Sequence, residues 1–166
     1  DRTVGLVLAG DIVDFLADQE PDYFKTPMKA LRSLRAVMTD PTFRDVFVAL
    51  RRFVQTAYRQ LVLLLGNHDL ELALPEVREE LTEQLCAWAE FEDTDGNLEP
   101  IPAEQADAAR GRLRLILDVT GLLCNVGEAE VLCIHGNEVD EWNRVDPARL
   151  VRVCAAANRK SEEAPW

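Results

Sequence analysis

The sequence predicts an α/β fold, and three observations predict it. Three short apolar runs, Val4–Ala9, Leu61–Leu65 and Val131–Ile134, are continuous rather than alternating, as strands buried on both faces are. Amphipathic helical periodicities fill the intervals between them. Each run ends in a polar cluster, at the place where ligands gather in an open α/β sheet.

The elements follow in order. The first run is a strand that ends in Gly10-Asp11-Ile12-Val13-Asp14. Leu31, Leu34 and Met38 mark a short helix. Asp40 and Pro41 supply the cap and first position of a second helix. Its stripe is Phe43, Val46, Phe47, Leu50, Phe53, Val54 and Ala57. The second run is a strand that ends in Gly66-Asn67-His68-Asp69. Pro75 opens a third helix, with Glu76, Glu79 and Glu80 where the helix dipole favours negative charge. Val77, Leu81, Leu85 and Trp88 form its expected buried face. Phe91–Pro102 is acidic, with a turn signal at Asp95-Gly96-Asn97. Leu113, Leu115 and Leu117 alternate as in a strand. Leu122–Val126 and Val131–Ile134 pair antiparallel around Gly127. The chain then reaches His135-Gly136-Asn137-Glu138-Val139-Asp140. Asp146 and Pro147 start the last helix, followed by Leu150, Val151 and Cys154. Ser161–Trp166 reads as a frayed tail.

Composition narrows the function classes. The 166 residues are 48% hydrophobic and 29% charged, enough for one globular core. Asp and Glu number 30 against 18 Lys and Arg, a formal charge of −12. Such a surface repels phosphate backbones and anionic membranes, so nucleic acid is a disfavoured partner. A small phosphorylated substrate stays open, because a metal ion reverses the local sign. No apolar run approaches the ~20 residues of a membrane span. Cys86, Cys124, Cys133 and Cys154 form no CxxC pair, and read as free thiols in a reducing, cytoplasmic setting. The chain begins at Asp1 without a signal peptide.

The polar clusters carry the chemistry. Only two histidines occur, His68 and His135, and both follow apolar runs. Asp11, Asn67 and His135 make an oxygen and nitrogen donor set without thiolate, which suits Mn, Fe or Zn. Each residue also has an ordinary structural reading. Gly10-Asp11 can be a simple turn, Asp14 a local cap, Asp69 a helix cap and His135 a half-buried histidine. The metal reading rests on all three clusters occurring at equivalent positions.

With these motifs the chain resembles the calcineurin-like metallophosphoesterase superfamily. Gly10-Asp11-Ile12-Val13-Asp14 matches its GDxxD motif, and Gly66-Asn67-His68-Asp69 matches GNH[DE]. His135-Gly136 with Asp140 resembles its HGxxxD motif. The resemblance implies a two-sheet α/β sandwich flanked by helices. It implies two divalent ions, Mn, Fe or Zn, with Asp11 bridging them and Asn67 and His135 on the second. It implies His68 beside the scissile phosphate, Asp69 orienting His68, and Asp14 and Asp140 in support. The implied reaction is hydrolysis of a phosphoester or phosphoanhydride by a metal-activated water attacking phosphorus.

The family's earlier DxH and final GHxH motifs have no counterpart in the sequence. The expectation is therefore a single domain over residues 1–166 that is the central portion of a metallophosphoesterase, truncated at both ends. Partial metal occupancy and weak or no activity are expected of the chain itself. So are exposed sheet edges, which a homo-oligomer would cover. The alternative is a non-catalytic, degenerate member of the fold that serves as an interaction module. Trp142 stands in a stretch, Gly136–Asn143, that would wall the site. The region Pro21–Tyr58 would carry a specificity cap.

Overall fold

The computed structural model describes residues 3–17, 24–92 and 98–162. The chain is mixed α/β. Strand β1 (Val4–Ala9) leads through a 3-10 turn, Phe15–Ala17, to helices α1 (Pro27–Thr39) and α2 (Arg44–Gln55). Strand β2 (Arg59–Leu64) is followed by a 3-10 turn, Leu70–Ala73, and helix α3 (Pro75–Cys86). Strands β3 (Trp88–Glu92) and β4 (Leu98–Pro100) form a small antiparallel pair. Helix α4 (Ala103–Arg110), strands β5 (Leu113–Ile116), β6 (Leu122–Val126) and β7 (Ala129–Cys133), and helix α5 (Pro147–Glu162) complete the order.

The central sheet has three parallel strands in the order β1-β2-β5. Val4 pairs with Arg59 and Ala9 with Leu64, while Leu61 pairs with Leu113. All three strands therefore end on one edge of the sheet. β2 is the central strand, and Leu61, Val62, Leu63 and Leu64 are all buried. The period-2 geometry of a strand divides these between two layers. Leu61 and Leu63 join the main core with Leu34, Phe47, Leu50, Val54, Leu81 and Leu85 from the helices. Val62 and Leu64 pack on the other face with Ile116, Leu122, Cys124 and Cys133. The order of layers is helices, parallel sheet, β6–β7 hairpin.

The antiparallel pairing around Gly127 is as expected, and one expectation is corrected. The third apolar run is not a strand buried on both faces. Most of it lies in β7, which among the described residues pairs only with β6, with Leu122 opposite Cys133 and Val126 opposite Ala129. Its inner side chains face the sheet, while Leu123 and Leu132 face outward, each 60% exposed. β1 is also only half-buried, because it forms one edge of its sheet and β5 forms the other.

Local boundaries differ for identifiable reasons. Asp40 closes α1, its N–H bonding to Ala36 and Val37, and its Oδ1 accepts the Thr42 amide at 2.7 Å. This turn delays α2 to Arg44 and leaves Phe43 and Val46 exposed. Trp88 starts β3 instead of ending α3. Gln55 Nε2 donates to the Trp88 carbonyl at 2.8 Å, and Ile101 N–H donates to that of Ala87 at 2.9 Å. α5 starts as expected, with Asp146 Oδ1 accepting the amides of Ala148 and Arg149. Val151, however, is exposed, and Leu150 and Ala157 carry the buried face. α1 and α2 pack into the main core and do not form a separate cap. The turn signal Asp95-Gly96-Asn97 and residues 163–166 of the tail lie outside the described residues. The four cysteines are free. Among the described residues no helix is long and apolar enough to cross a membrane.

Candidate metal centre

The loops after β1, β2 and β7 meet beyond the carboxyl edge of the sheet. Asp11 leaves β1 with a left-handed backbone, φ 54°. Such a conformation costs a non-glycine residue ~1–2 kcal/mol, although Asp tolerates it better than most. The glycines around it are sterically required. A Cβ on Gly10, whose φ is +89°, would overlap the His135 ring and the Gly66 backbone. A Cβ on Gly66 would overlap the carboxylate and amide of Asp11. The three loops are packed that closely.

Donor atoms converge at this point. His135 Nε2 lies 3.1 Å from Asp11 Oδ2 and 3.1 Å from Asn67 Oδ1. His135 Nδ1 is 2.6 Å from the carbonyl oxygen of Ala9, which can only accept, so Nδ1 carries the donated proton. Nε2 is left facing two oxygens. Histidines that ligate metals have this same outer hydrogen bond to a backbone carbonyl.

The residues fit one divalent ion. Donors ~2.1 Å from a metal and at right angles stand ~3 Å apart, close to the separations found here. One carboxylate, one amide oxygen and one imidazole leave room for water or substrate oxygens. The residues do not supply a full set for two ions. Among the described residues no three His, Cys, Asp or Glu side chains gather on one point, and the third donor of the set is an amide.

The neighbouring residues hold the loops. His68 N–H donates to Asp11 Oδ1 at 2.9 Å. Asp69 is fully buried and accepts the amides of Gly66 at 2.6 Å and Ile12 at 3.0 Å. Burial pushes its carboxyl up to about 6, against the opposing pull of these two amides. Asp69 therefore ties the first loop to the second through these two amides. The carboxylate beside the His68 ring is Asp14, whose Oδ1 lies 3.2 Å from His68 Nδ1. The same oxygen accepts the amides of Leu16 and Ala17, so the local-cap reading of Asp14 holds as well.

Asp140 stands apart from the donor set. Its Oδ1 accepts the Trp142 amide at 3.0 Å and its Oδ2 accepts Asn143 Nδ2 at 2.7 Å. Buried Asn137 donates to the Asn143 carbonyl at 3.0 Å. Together they shape the turn that carries Trp142. A cavity of about 290 Å³ opens between this turn, α5 and the donor cluster, and Asn67 and His68 line it. Arg144 and Arg149 also line it, and sequence reasoning missed both. The signal was available for Arg149. It sits in the first turn of α5, where the helix dipole disfavours a cation, so its presence there needs another reason. A larger cavity, about 680 Å³, lies between the end of β5 and α5 and includes none of the predicted site residues.

Compared with known proteins, the chain matches no family model, no curated sequence and no solved structure.

Proposed function

We propose that this chain carries the phosphate-handling core of a metal-dependent phosphoester or phosphoanhydride hydrolase, with a metallophosphoesterase-type packing of its parallel sheet against the β6–β7 hairpin. The observation that carries the reading is the convergence of Asp11 Oδ2, Asn67 Oδ1 and His135 Nε2, with His68 next in sequence and beside them. Supporting it are the left-handed backbone at Asp11 and the glycines that only this packing requires. Backbone strain of this kind is retained where a site needs it.

Asp11, Asn67 and His135 would hold one divalent ion, Mn, Fe or Zn. When bound, the ion supplies positive charge to the phosphoryl oxygens and acidifies water. His68 is held through Nδ1 by Asp14, which leaves Nε2 for the substrate. A water oxygen bonds to phosphorus as the bond to the leaving oxygen breaks. His68 gives the leaving oxygen its proton, and the attacking water returns one to solvent. Asp69 and Asp140 are positioning residues.

The test is Mn²⁺ binding by electron paramagnetic resonance, with turnover of p-nitrophenyl phosphate measured in parallel. One ion per chain is expected, lost in Asp11→Asn and His135→Ala and kept in His68→Asn. Turnover by this chain is expected to be weak, and in His68→Asn it is expected to fall a further ~10²-fold or to below detection. Full Mn²⁺ binding by His135→Ala, or turnover indifferent to His68→Asn, would refute the assignment.

A further inference from the structure

The cavity beside His68 has a composition that the metal centre does not explain. Its cations are Arg144 and Arg149, both exposed, and neither guanidinium is paired with a carboxylate among the described residues. This is notable in a chain of charge −12. The one acid in the lining, Asp146, is committed to capping α5 through the amides of Ala148 and Arg149. The cavity also has aromatic walls, Phe24 and Trp142. Trp142 is 95% exposed, an unusual cost for so large an apolar ring with a built turn beneath it.

We propose that this cavity binds the part of the substrate beyond the scissile phosphoryl group, and that the substrate is a nucleoside diphosphate or a close relative. The proposal rests on the hydrolase reading for the position of the scissile phosphoryl, which sits at Asn67 and His68. Arg144 and Arg149 take the second phosphate, as guanidinium forks do. Trp142 and Phe24 take the flat base. The volume, about 290 Å³, is at the small end for ligand pockets and suits a mononucleotide. A polymer would have to lie across the acidic surface outside it. Asp140 then has a definite task, since its two oxygens fix the turn that presents Trp142 and leads to Arg144.

The experiment is calorimetric titration of ADP and of adenosine into metal-free protein in EDTA, so that neither the ion nor turnover enters the readout. ADP is expected to bind at least ~10-fold more tightly than adenosine. Arg144→Ala and Arg149→Ala are each expected to weaken ADP binding ~10-fold and to change adenosine binding less than ~2-fold. Trp142→Ala is expected to weaken both ligands ~10-fold. Arg32→Ala, on the exposed face of α1, is expected to change neither. These side chains are exposed, so the variants keep the fold. ADP binding no tighter than adenosine, or unchanged in the Arg144→Ala/Arg149→Ala double variant, overturns the proposal. The two readings fail separately. The ADP pattern without Mn²⁺ uptake at His135 keeps the pocket and removes the hydrolase. Mn²⁺ uptake with p-nitrophenyl phosphate turnover but no ADP binding removes the pocket alone.

Discussion

If Asp11, Asn67 and His135 hold a divalent ion as proposed, replacing His135 by Ala should abolish most of the stabilisation that the ion gives this fold. In the proposed site three protein donors would hold the ion, and both short donor–donor separations, to Asp11 Oδ2 and to Asn67 Oδ1, run through His135 Nε2. Loss of a group that merely supports a metal ligand costs ~10–100-fold in affinity, so loss of the ligand itself should cost at least ~100-fold. An ion that binds only the folded chain stabilises it by about 2.7 kcal/mol at a free concentration ~100 times its Kd. For a domain of this size each kcal/mol moves Tm by ~2–4 °C, giving a shift of about 5–10 °C. At the same Mn²⁺ concentration the variant would sit near its own Kd. Its gain would be ~0.4 kcal/mol, or about 1 °C. The assay is thermal unfolding by circular dichroism, in EDTA and at the Mn²⁺ concentration fixed from the wild-type titration. Each variant is compared with itself, which removes any change in metal-free stability. Asn67→Ala should behave like His135→Ala, and Asp14→Ala should keep the wild-type shift. Equal shifts in wild type, His135→Ala and Asn67→Ala would refute the donor assignment.

Three further predictions concern the frame. Gly10→Ala should destabilise the chain by ~3 kcal/mol or more in urea, combining positive-φ strain with overlap against His135 and Gly66; a loss under ~1 kcal/mol would mean that the loops are not packed as described. Arg51 is buried in α2 and donates to the carbonyls of Gln84 at 2.8 Å and Ala89 at 2.9 Å. Arg51→Met should cost ~3 kcal/mol by urea unfolding, since both carbonyls lose a charged donor. Burial raises the Cys86 thiol to about 11, so it should stay unmodified by a disulfide reagent at pH 8 until the chain unfolds. The contrast between wild type and Cys86→Ala, in native buffer and in urea, reads this directly.

Much of the frame was legible because apolar periodicity reports burial. Val77, Leu81 and Leu85 form the inner face of α3 as their spacing requires, and Asp146 caps α5. Gly127 also marked the antiparallel pairing of β6 with β7, because it turns the chain back after only five residues of β6. Burial was less legible: Val131–Ile134 reads like Leu61–Leu65, yet most of it lies in a two-stranded hairpin with one face exposed, while Leu61–Leu64 lie at the centre of a parallel sheet. α4 left little trace, because its buried residues are only Ala106 and Ala109, and small side chains make a faint stripe. At the site, the order of Asp11, Asn67, His68 and His135 was readable. The neighbour of the His68 ring was not: the resemblance implied Asp69, whereas the turn at Phe15–Ala17 sets Asp14 Oδ1 3.2 Å from His68 Nδ1.

The site side chains share a division of roles that accounts for this geometry. Asp11 gives Oδ1 to the His68 amide and turns Oδ2 to the centre. His135 gives Nδ1 to the Ala9 carbonyl and turns Nε2 to the same point. His68 gives Nδ1 to Asp14 and keeps Nε2 for the cavity. In each residue one polar atom fastens the side chain, and the other is left for chemistry. The backbone bond from Phe15 N–H to the His68 carbonyl, at 3.0 Å, adds a second fastening between the first two loops. Asp69 supplies the third, at the cost of burying a carboxylate that two amides stabilise only in part. Because these fastenings use none of the three donor atoms, an ion has no need to organise the loops in order to bind. On the proposed hydrolase reading, its binding energy would remain available for charge stabilisation at phosphorus, which is where preorganisation has its effect on rate.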